Sequence, residues 1–367
     1  MNPASLIRKR DLQRPLPSGN ELRILAVQIA GIGDLILATP ALDALHERYP
    51  EAKIDIVTSP RSADLLQGHP SIDDIYAFDV SRFRNPIALL LPGALADLRI
   101  QLKPLRDVRY DLLVSLHNIS SFRGAFTLGL LMRSLEIPFW VGRNTDGRMP
   151  LFDRELRESL KDPVPEPMTK LRLVGLLDAK PDPRPLSIAI GQNERAKARD
   201  LLGQKHKWAA IMPGCDDPNR RWPTERFSDV ARQLADKGFR IVLLGGPGEE
   251  TVGAEVAAAA KERTLNLVGK LGLKTMAAVL QLCSVAITNN TGPMHIAAAA
   301  GVPIVALFAP VHVERYRPWA AKETVRVLFT ENSSLTGGGP DAIRMALQDI
   351  NVEQVIAAVD ELTGTGR

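Results

Sequence analysis

The sequence predicts an α/β chain of two doubly wound parallel sheets in series, and three observations carry that expectation. Short apolar runs alternate with helix-forming stretches, as they do when parallel strands are covered on both faces. Three prolines in the five residues 181–185 form a stiff connector near the middle of the 367-residue chain. Beyond it the same alternation starts again.

Residues 23–29 read as the first strand, breaking at Ala30-Gly31-Ile32-Gly33-Asp34. A helix is expected over 35–49, irregular at its start because Pro40 lies in its first turns. A strand over 53–58, a short helix over 61–67 and a strand over 75–78 follow. Residues 81–109 place apolar residues between Arg82, Arg84, Arg99, Lys103, Arg106 and Arg109, as a helical pair or a membrane-interface segment would. A strand over 110–116 ends at His117, a helix runs to 135 and a strand covers 139–143. Residues 144–167 read as turns, and 168–177 as a helix.

In the second half, strands are expected over 208–212, 240–244, 266–268 and 304–308, with another ending at Ile287. Helices are expected over 224–237, from 250 to about 263, over 273–282 and over 352–362, with loops from 309 to 339. The domains this implies are a basic tail (1–20), two α/β domains (21–180 and 186–350) and a terminal helix with its tail (351–367).

Composition narrows the function. The chain is 45% apolar and 24% charged, as soluble globular proteins are. Two distant cysteines, Cys215 and Cys283, argue against a disulfide framework or a zinc site and for a reducing compartment. No apolar run spans a bilayer, and the N-terminus lacks the core of a signal peptide. The charge of +4 suits an anionic substrate, an acidic membrane surface or nucleic acid.

The stretch 289–303 is the sharpest local signal. A buried strand meets Asn290-Thr291-Gly292, then a helix with Pro293 in its first turn, Gly301 at its end and another strand. Such a turn can bind an anion through unpaired N–H groups and the helix dipole. Thr291 can add a hydroxyl, Gly292 close backbone approach, and His295 a ring one turn on. One of Arg220 and Arg221 can face a diphosphate and stabilise it as a leaving group, and Glu249 is suited to ribose hydroxyls. Asp34 follows two glycines at a helix start and is suited to take a proton from a hydroxyl, or serves as a cap. Arg61, His117 and Arg123 also fall at strand ends, where open α/β sheets bind ligands. A dinucleotide fingerprint is incomplete, since Ile36 stands where the third glycine belongs and Asp55 lies inside a strand. No Asp-x-Asp pair is present to hold a divalent cation, so no metal is expected.

Three motifs together resemble the heptosyltransferases, glycosyltransferase family nine. They are Ile24-Leu25-Ala26-Val27-Gln28 with Gly33-Asp34 and Thr39-Pro40-Ala41-Leu42, then Arg220-Arg221-Trp222-Pro223, then Thr291-Gly292-Pro293-Met294-His295 with Gly301-Val302-Pro303. The resemblance covers residues 23–310. It implies a GT-B fold, with two Rossmann-like domains facing a central cleft, acceptor on the first and nucleotide sugar on the second. It implies an inverting, metal-independent transferase moving heptose from ADP-heptose onto a lipopolysaccharide core, with no cofactor beyond that donor and no nucleic-acid partner. The expected location is cytoplasmic or peripheral to the inner membrane.

By that resemblance Asp34 is the base, and Arg220, Glu249, Asn290, Thr291, Gly292 and His295 hold the donor. Arg61, His117 and Arg123 meet the acceptor. Asn290 departs from the pattern, since relatives often carry Asp there. Epimerase, dehydrogenase and non-catalytic glycan-binding readings are the alternatives.

Overall fold

The structure, a computed structural model, describes residues 14–17, 21–79, 92–119, 121–148, 151–203, 206–330 and 339–364. Two compact units, Met1–Arg184 and Pro185–Arg367, each carry one six-stranded parallel sheet.

In the first unit the chain runs β1 (Arg23–Gln28), α1 (Ile32–Ile36), α2 (Thr39–Arg48), β2 (Lys53–Thr58), β3 (Ile75–Ala77), α3 (Pro92–Val108), β4 (Leu112–Ser115), α4 (Phe122–Ser134), β5 (Phe139–Thr145), β6 (Arg154–Glu158) and α5 (Glu166–Gly175). The strand order is β3-β2-β1-β4-β5-β6. The chain builds outward from β1 to β3, then returns to lay β4 on the other side of β1. That reversal makes the carboxyl ends of β1 and β4 the switch point where such sheets bind ligands. Leu25, Val27 and Leu113 pack with α3 and α4 in one apolar cluster.

Several local expectations are corrected. The helix expected over 35–49 is two helices, α1 and α2. Pro40 has no N–H to give the carbonyl of Ile36, so the Thr39 hydroxyl donates to it instead, at 2.8 Å. The short helix near 61–67 is a 3₁₀ turn at Ala63–Leu66. Residues 80–91, most of the apolar stretch between basic flanks, lie outside the described residues, as does the tail apart from 14–17. The stretch read as turns contains β6, an edge strand of sequence Arg-Glu-Leu-Arg-Glu. Charge is a common way to blunt an exposed sheet edge, and it hid this strand's alternation.

The second unit runs α6 (Gln192–Leu202), β7 (Trp208–Met212), α7 (Thr224–Asp236), β8 (Arg240–Leu243), α8 (Glu250–Ala260), β9 (Thr264–Asn266), α9 (Leu273–Leu280), β10 (Val285–Asn289), α10 (Gly292–Ala300), β11 (Ile304–Leu307), α11 (Val313–Tyr316), β12 (Val325–Leu328), α12 (Pro340–Gln348) and α13 (Val352–Thr363). Its strand order, β12-β11-β10-β7-β8-β9, repeats the reversal, with β7 and β10 at the switch point. The sequence reading omitted α6, α11, β12 and α12. In α6 only Ala198 and Leu202 are buried, too few to mark an apolar face.

A buried ion cluster closes the first unit. Arg143 of β5 pairs with Glu158 of β6 at 2.8 Å and with Glu166 of α5, and Lys170 pairs with Glu166 at 2.8 Å. Arg143, Glu166 and Lys170 are all 0% exposed. Such a cluster is neutral as a set and costly to break singly. Glu166→Ala leaves Lys170 without its carboxylate and Arg143 with Glu158 alone, and urea denaturation should show a loss of about 3–5 kcal/mol. A loss within the error of the extrapolation would mean that the cluster is solvated in the folded chain.

Candidate active site

In the first unit, the loop after β1 delivers Asp34 into the third position of α1, whose N-cap is Gly31. Asp34 is half-buried there, and the helix dipole favours its ionised form. Hydroxyl groups at the end of β2 hold this loop. Thr58 donates to the carbonyl of Gln28 at 3.0 Å, Ser59 donates to that of Ala30 at 3.0 Å, and Ser62 Oγ lies 2.6 Å from Ser59 Oγ. Sequence reasoning missed these three residues. Small hydroxyl residues at a strand end are an ordinary turn signature, and their partners are 29 or 30 residues away.

Arg61 follows in the same loop, exposed and without an ion pair among the described residues. Arg123 sits in the first turn of α4, which Ser121 caps by accepting from Gly124 N at 3.1 Å; its side chain lies outside the described residues. His117 follows β4. The residue keeps some surface, but its Nδ1 is buried and has no hydrogen-bond partner among the described residues. Burial, then the Arg143 and Lys170 charges, hold this imidazole neutral down to about 4, against the pull of Glu166. Asp55 is buried inside β2 and accepts from the Tyr110 hydroxyl at 2.5 Å, a structural role.

In the second unit one side chain joins the two loops at the switch point. Asn289 closes β10 and is 0% exposed. Its Nδ2 donates to the carbonyls of Pro213 and Gly214 at 3.0 and 3.1 Å, and its Oδ1 accepts from Trp222 N at 2.9 Å. Both ends of the loop after β7 are thereby pinned to β10. Trp222 is itself buried, donates to the carbonyl of Ile350 at 3.0 Å and meets Phe227 edge-on. The sequence signal for Asn289 was present: an amide ending an apolar strand must find partners.

Glu249 lies over the same loop. Its Oε2 accepts from Gly246 N at 2.8 Å. A Cβ on Gly214 would fall 2.0 Å from its carboxyl carbon, and one on Gly245 would fall 2.5 Å from Oε2. Two glycines, at the ends of β7 and β8, thus admit this carboxylate. Burial raises its pKa, the Gly246 N–H opposes that, and Asp216 adds to it.

Thr291 is the N-cap of α10 with no side-chain cap bond, Gly292 and Pro293 follow, and Gly301 ends the helix at φ +77°. Asn290 is half-buried, and its N–H donates to the carbonyl of Leu307 at 3.1 Å. His295 is 4% exposed, so it packs as part of the helix's buried face rather than standing open over the turn. Arg220 ends a 3₁₀ turn capped by Asp217 and is exposed, with no ion pair among the described residues. The structure brings Glu249 and the Thr291 turn to the edge that Asn289 organises. Among the described residues no three His, Cys, Asp or Glu side chains group as metal ligands.

Two doubly wound units of this topology, with their polar loops at the carboxyl edges, have the architecture of GT-B glycosyltransferases. The chain belongs to glycosyltransferase family 9, the heptosyltransferases, whose family model matches residues 99–337. It is 25% identical to lipopolysaccharide heptosyltransferase 2 of Escherichia coli (strain K12), over 93% of this chain and 98% of that one. Its fold is similar to that of the E. coli ADP-heptose lps heptosyltransferase II, with TM-score 0.74, 23% identity, and 94% and 99% of the two chains covered. A family 9 glycosyl transferase from Veillonella parvula gives TM-score 0.80 at 23% identity, covering 96% and 100%. The chain is therefore a glycosyltransferase. Asp34 and Arg61 precede the residues that the family model matches.

Asn289→Ala removes three hydrogen bonds inside a packed edge and leaves Trp222 N and two carbonyls unpaired. It should cost about 1–3 kcal/mol of stability in denaturant unfolding. Unchanged stability in the variant would mean that the clamp does not hold this loop.

Proposed function

We propose that the chain transfers heptose from ADP-heptose to a lipopolysaccharide core acceptor, by direct displacement with inversion and without a metal ion. The observation that carries this reading is the Glu249 carboxylate, admitted by Gly214 and Gly245 beside the loop clamped by Asn289. A carboxylate at that edge suits ribose hydroxyls, and the α10 start beside it suits a diphosphate. The names of the relatives, which specify heptosyl transfer to lipopolysaccharide, support the same donor and acceptor.

In the proposed reaction an acceptor hydroxyl oxygen attacks the anomeric carbon. The bond from that carbon to the diphosphate oxygen breaks, and its electron pair leaves with ADP. Asp34 takes the hydroxyl proton. Negative charge growing on the diphosphate is met by Arg220, the Thr291 hydroxyl and the N–H groups at the start of α10. Arg220 is suited to this because no carboxylate among the described residues pairs with it. Asn290 offers an uncharged amide beside the turn, which leaves the Arg220 charge to the donor alone. Arg61 and Arg123 are the proposed contacts to acidic groups of the acceptor.

Asp34→Asn should abolish transfer while ADP-heptose still binds in calorimetry, and EDTA should leave wild-type turnover unchanged. Normal turnover in the variant would remove Asp34 as the base, and inhibition by EDTA reversed by a divalent cation would remove the metal-free mechanism.

We further propose peripheral contact with the cytoplasmic face of the inner membrane. No described helix is long and apolar enough to cross a membrane. Ile100 on α3 and Phe122 and Phe126 on α4 are 70%, 76% and 48% exposed. Of the flanking basic side chains, Lys103 pairs with Asp107 at 3.2 Å and Arg106 with Glu136 at 2.9 Å. The Arg99 side chain lies outside the described residues. Phe122→Ser with Phe126→Ser should reduce sedimentation with anionic liposomes, whereas equal pelleting would rule out this aromatic pair as the anchor.

A further inference from the structure

The turn that leads into Glu249 has little shape of its own. After β8 the chain runs Gly245-Gly246-Pro247-Gly248 before Glu249 and α8. Pro247 and Gly248 are exposed, Gly248 takes φ +92°, and a Cβ on Gly246 or Gly248 would meet nothing within 4 Å. Glycines with open space round them leave a turn free to move. The Glu249 carboxylate keeps one position only if other groups hold this turn.

Two consecutive carboxylates hold it, each by one glycine N–H. Glu249 Oε2 accepts from Gly246 N at 2.8 Å, and Glu250 Oε2 accepts from Gly248 N at 2.8 Å. The other oxygen of Glu250 lies over the loop that follows β9. A Cβ on Gly269 would fall 2.5 Å from that Oε1 and 3.1 Å from the carboxyl carbon. Gly269 takes φ +72°, and its N–H donates to the Gly245 carbonyl at 3.1 Å. Val268 brings the same loop close, since a Cβ on Gly253 would fall 2.7 Å from one of its methyl carbons and one on Gly245 3.1 Å from the other. Glu250 therefore ties the far end of the turn and packs it on the neighbouring loop, while Glu249 ties the near end.

We propose that Glu250 is a positioning residue for the donor: it fixes the Gly246–Gly248 turn so that the Glu249 carboxylate meets the ribose hydroxyls of ADP-heptose, a reading that rests on Glu249 being the ribose contact. Glu250 touches no ligand and acts through Glu249. The two acids divide one task, the half-buried Glu249 facing the nucleotide and the exposed Glu250 bracing the turn behind it. Without Glu250 the Gly248 N–H turns to water and the turn regains its freedom. A nucleotide must then order the turn as it binds, and that ordering costs affinity. The cost falls on the ribose contact. The proposed diphosphate contacts come from the loop after β7 and the start of α10, which do not depend on this turn.

The test measures ADP, 2′-deoxy-ADP and 3′-deoxy-ADP binding to the full chain by calorimetry, with donor KM and kcat alongside. The variants are Glu250→Ala and Glu250→Gln. Both remove the same charge, so a difference between them reports the hydrogen bond to Gly248. Glu250→Ala should weaken ADP binding about three- to tenfold, the worth of one hydrogen bond. It should also narrow the advantage of ADP over whichever deoxy nucleotide wild type disfavours. Donor KM should rise by a similar factor with kcat kept, because the ribose lies away from the bond that breaks. Glu250→Gln, whose amide oxygen can still accept from Gly248 N, should bring affinity and advantage back towards wild type. A folded Glu250→Ala that keeps the full advantage of ADP would overturn the proposal. So would equal weakening of all the nucleotides, the mark of a loss not routed through the ribose, or a Glu250→Gln no better than Glu250→Ala. Wild type that binds ADP and both deoxy nucleotides equally would instead overturn the ribose reading of Glu249 on which the proposal rests.

Discussion

The carboxamide of Asn289 is the interaction on which the second unit's ligand edge depends. A parallel sheet leaves its strand ends as separate loops, and nothing in the ladder itself makes those loops one surface. Asn289 uses both N–H groups and its oxygen to bind β10 to the two ends of the loop after β7. All of this lies in a dry interior, where an amide with satisfied partners is stable and an unsatisfied one is costly. The loop that bears Arg220, the glycine that makes room for Glu249 and the turn that starts α10 are thereby built into one frame.

The first unit meets the same problem differently. Its loop after β1 is held by three hydroxyl side chains from the end of β2, and its β4–β5 edge by a neutral cluster of buried ions. The contrast suits the chemistry proposed for each side. The second unit offers backbone N–H groups and a cation, which favour a diphosphate. The first offers a carboxylate at Asp34 and an imidazole kept neutral beside it in the strand order, which favour hydroxyl groups and the removal of a proton.

Much of this was legible in the sequence, for reasons that also explain the rest. The β10–α10 stretch could be read because an apolar strand, a Thr-Gly-Pro turn and a terminating glycine each have one local meaning. The two-sheet plan could be read because parallel strands buried on both faces leave continuous apolar runs. Edge strand β6 and helix α6 could not, because their residues are mostly polar or charged and carry no clear apolar period. Glu158 and Glu166 fell in a segment read as turns, Arg143 at the end of an expected strand and Lys170 in an expected helix, and only the fold shows that they neutralise one another. His295 is among the buried residues of α10, which its single polar letter in an alanine-rich run did not reveal. Asn289 and Ser59 act on partners far away in the chain, which local pattern cannot reveal.

The central claim is that an acceptor hydroxyl, deprotonated by the first unit, displaces ADP directly from a sugar held by the second. The measurement that tests it most directly is the anomeric configuration of the transferred heptose, read by nuclear magnetic resonance on product made from ADP-heptose of defined configuration. The account predicts a configuration opposite to the donor's, since one displacement inverts the carbon. Product of the same configuration as the donor would require a second displacement or attack on the face of the leaving group, and would contradict it.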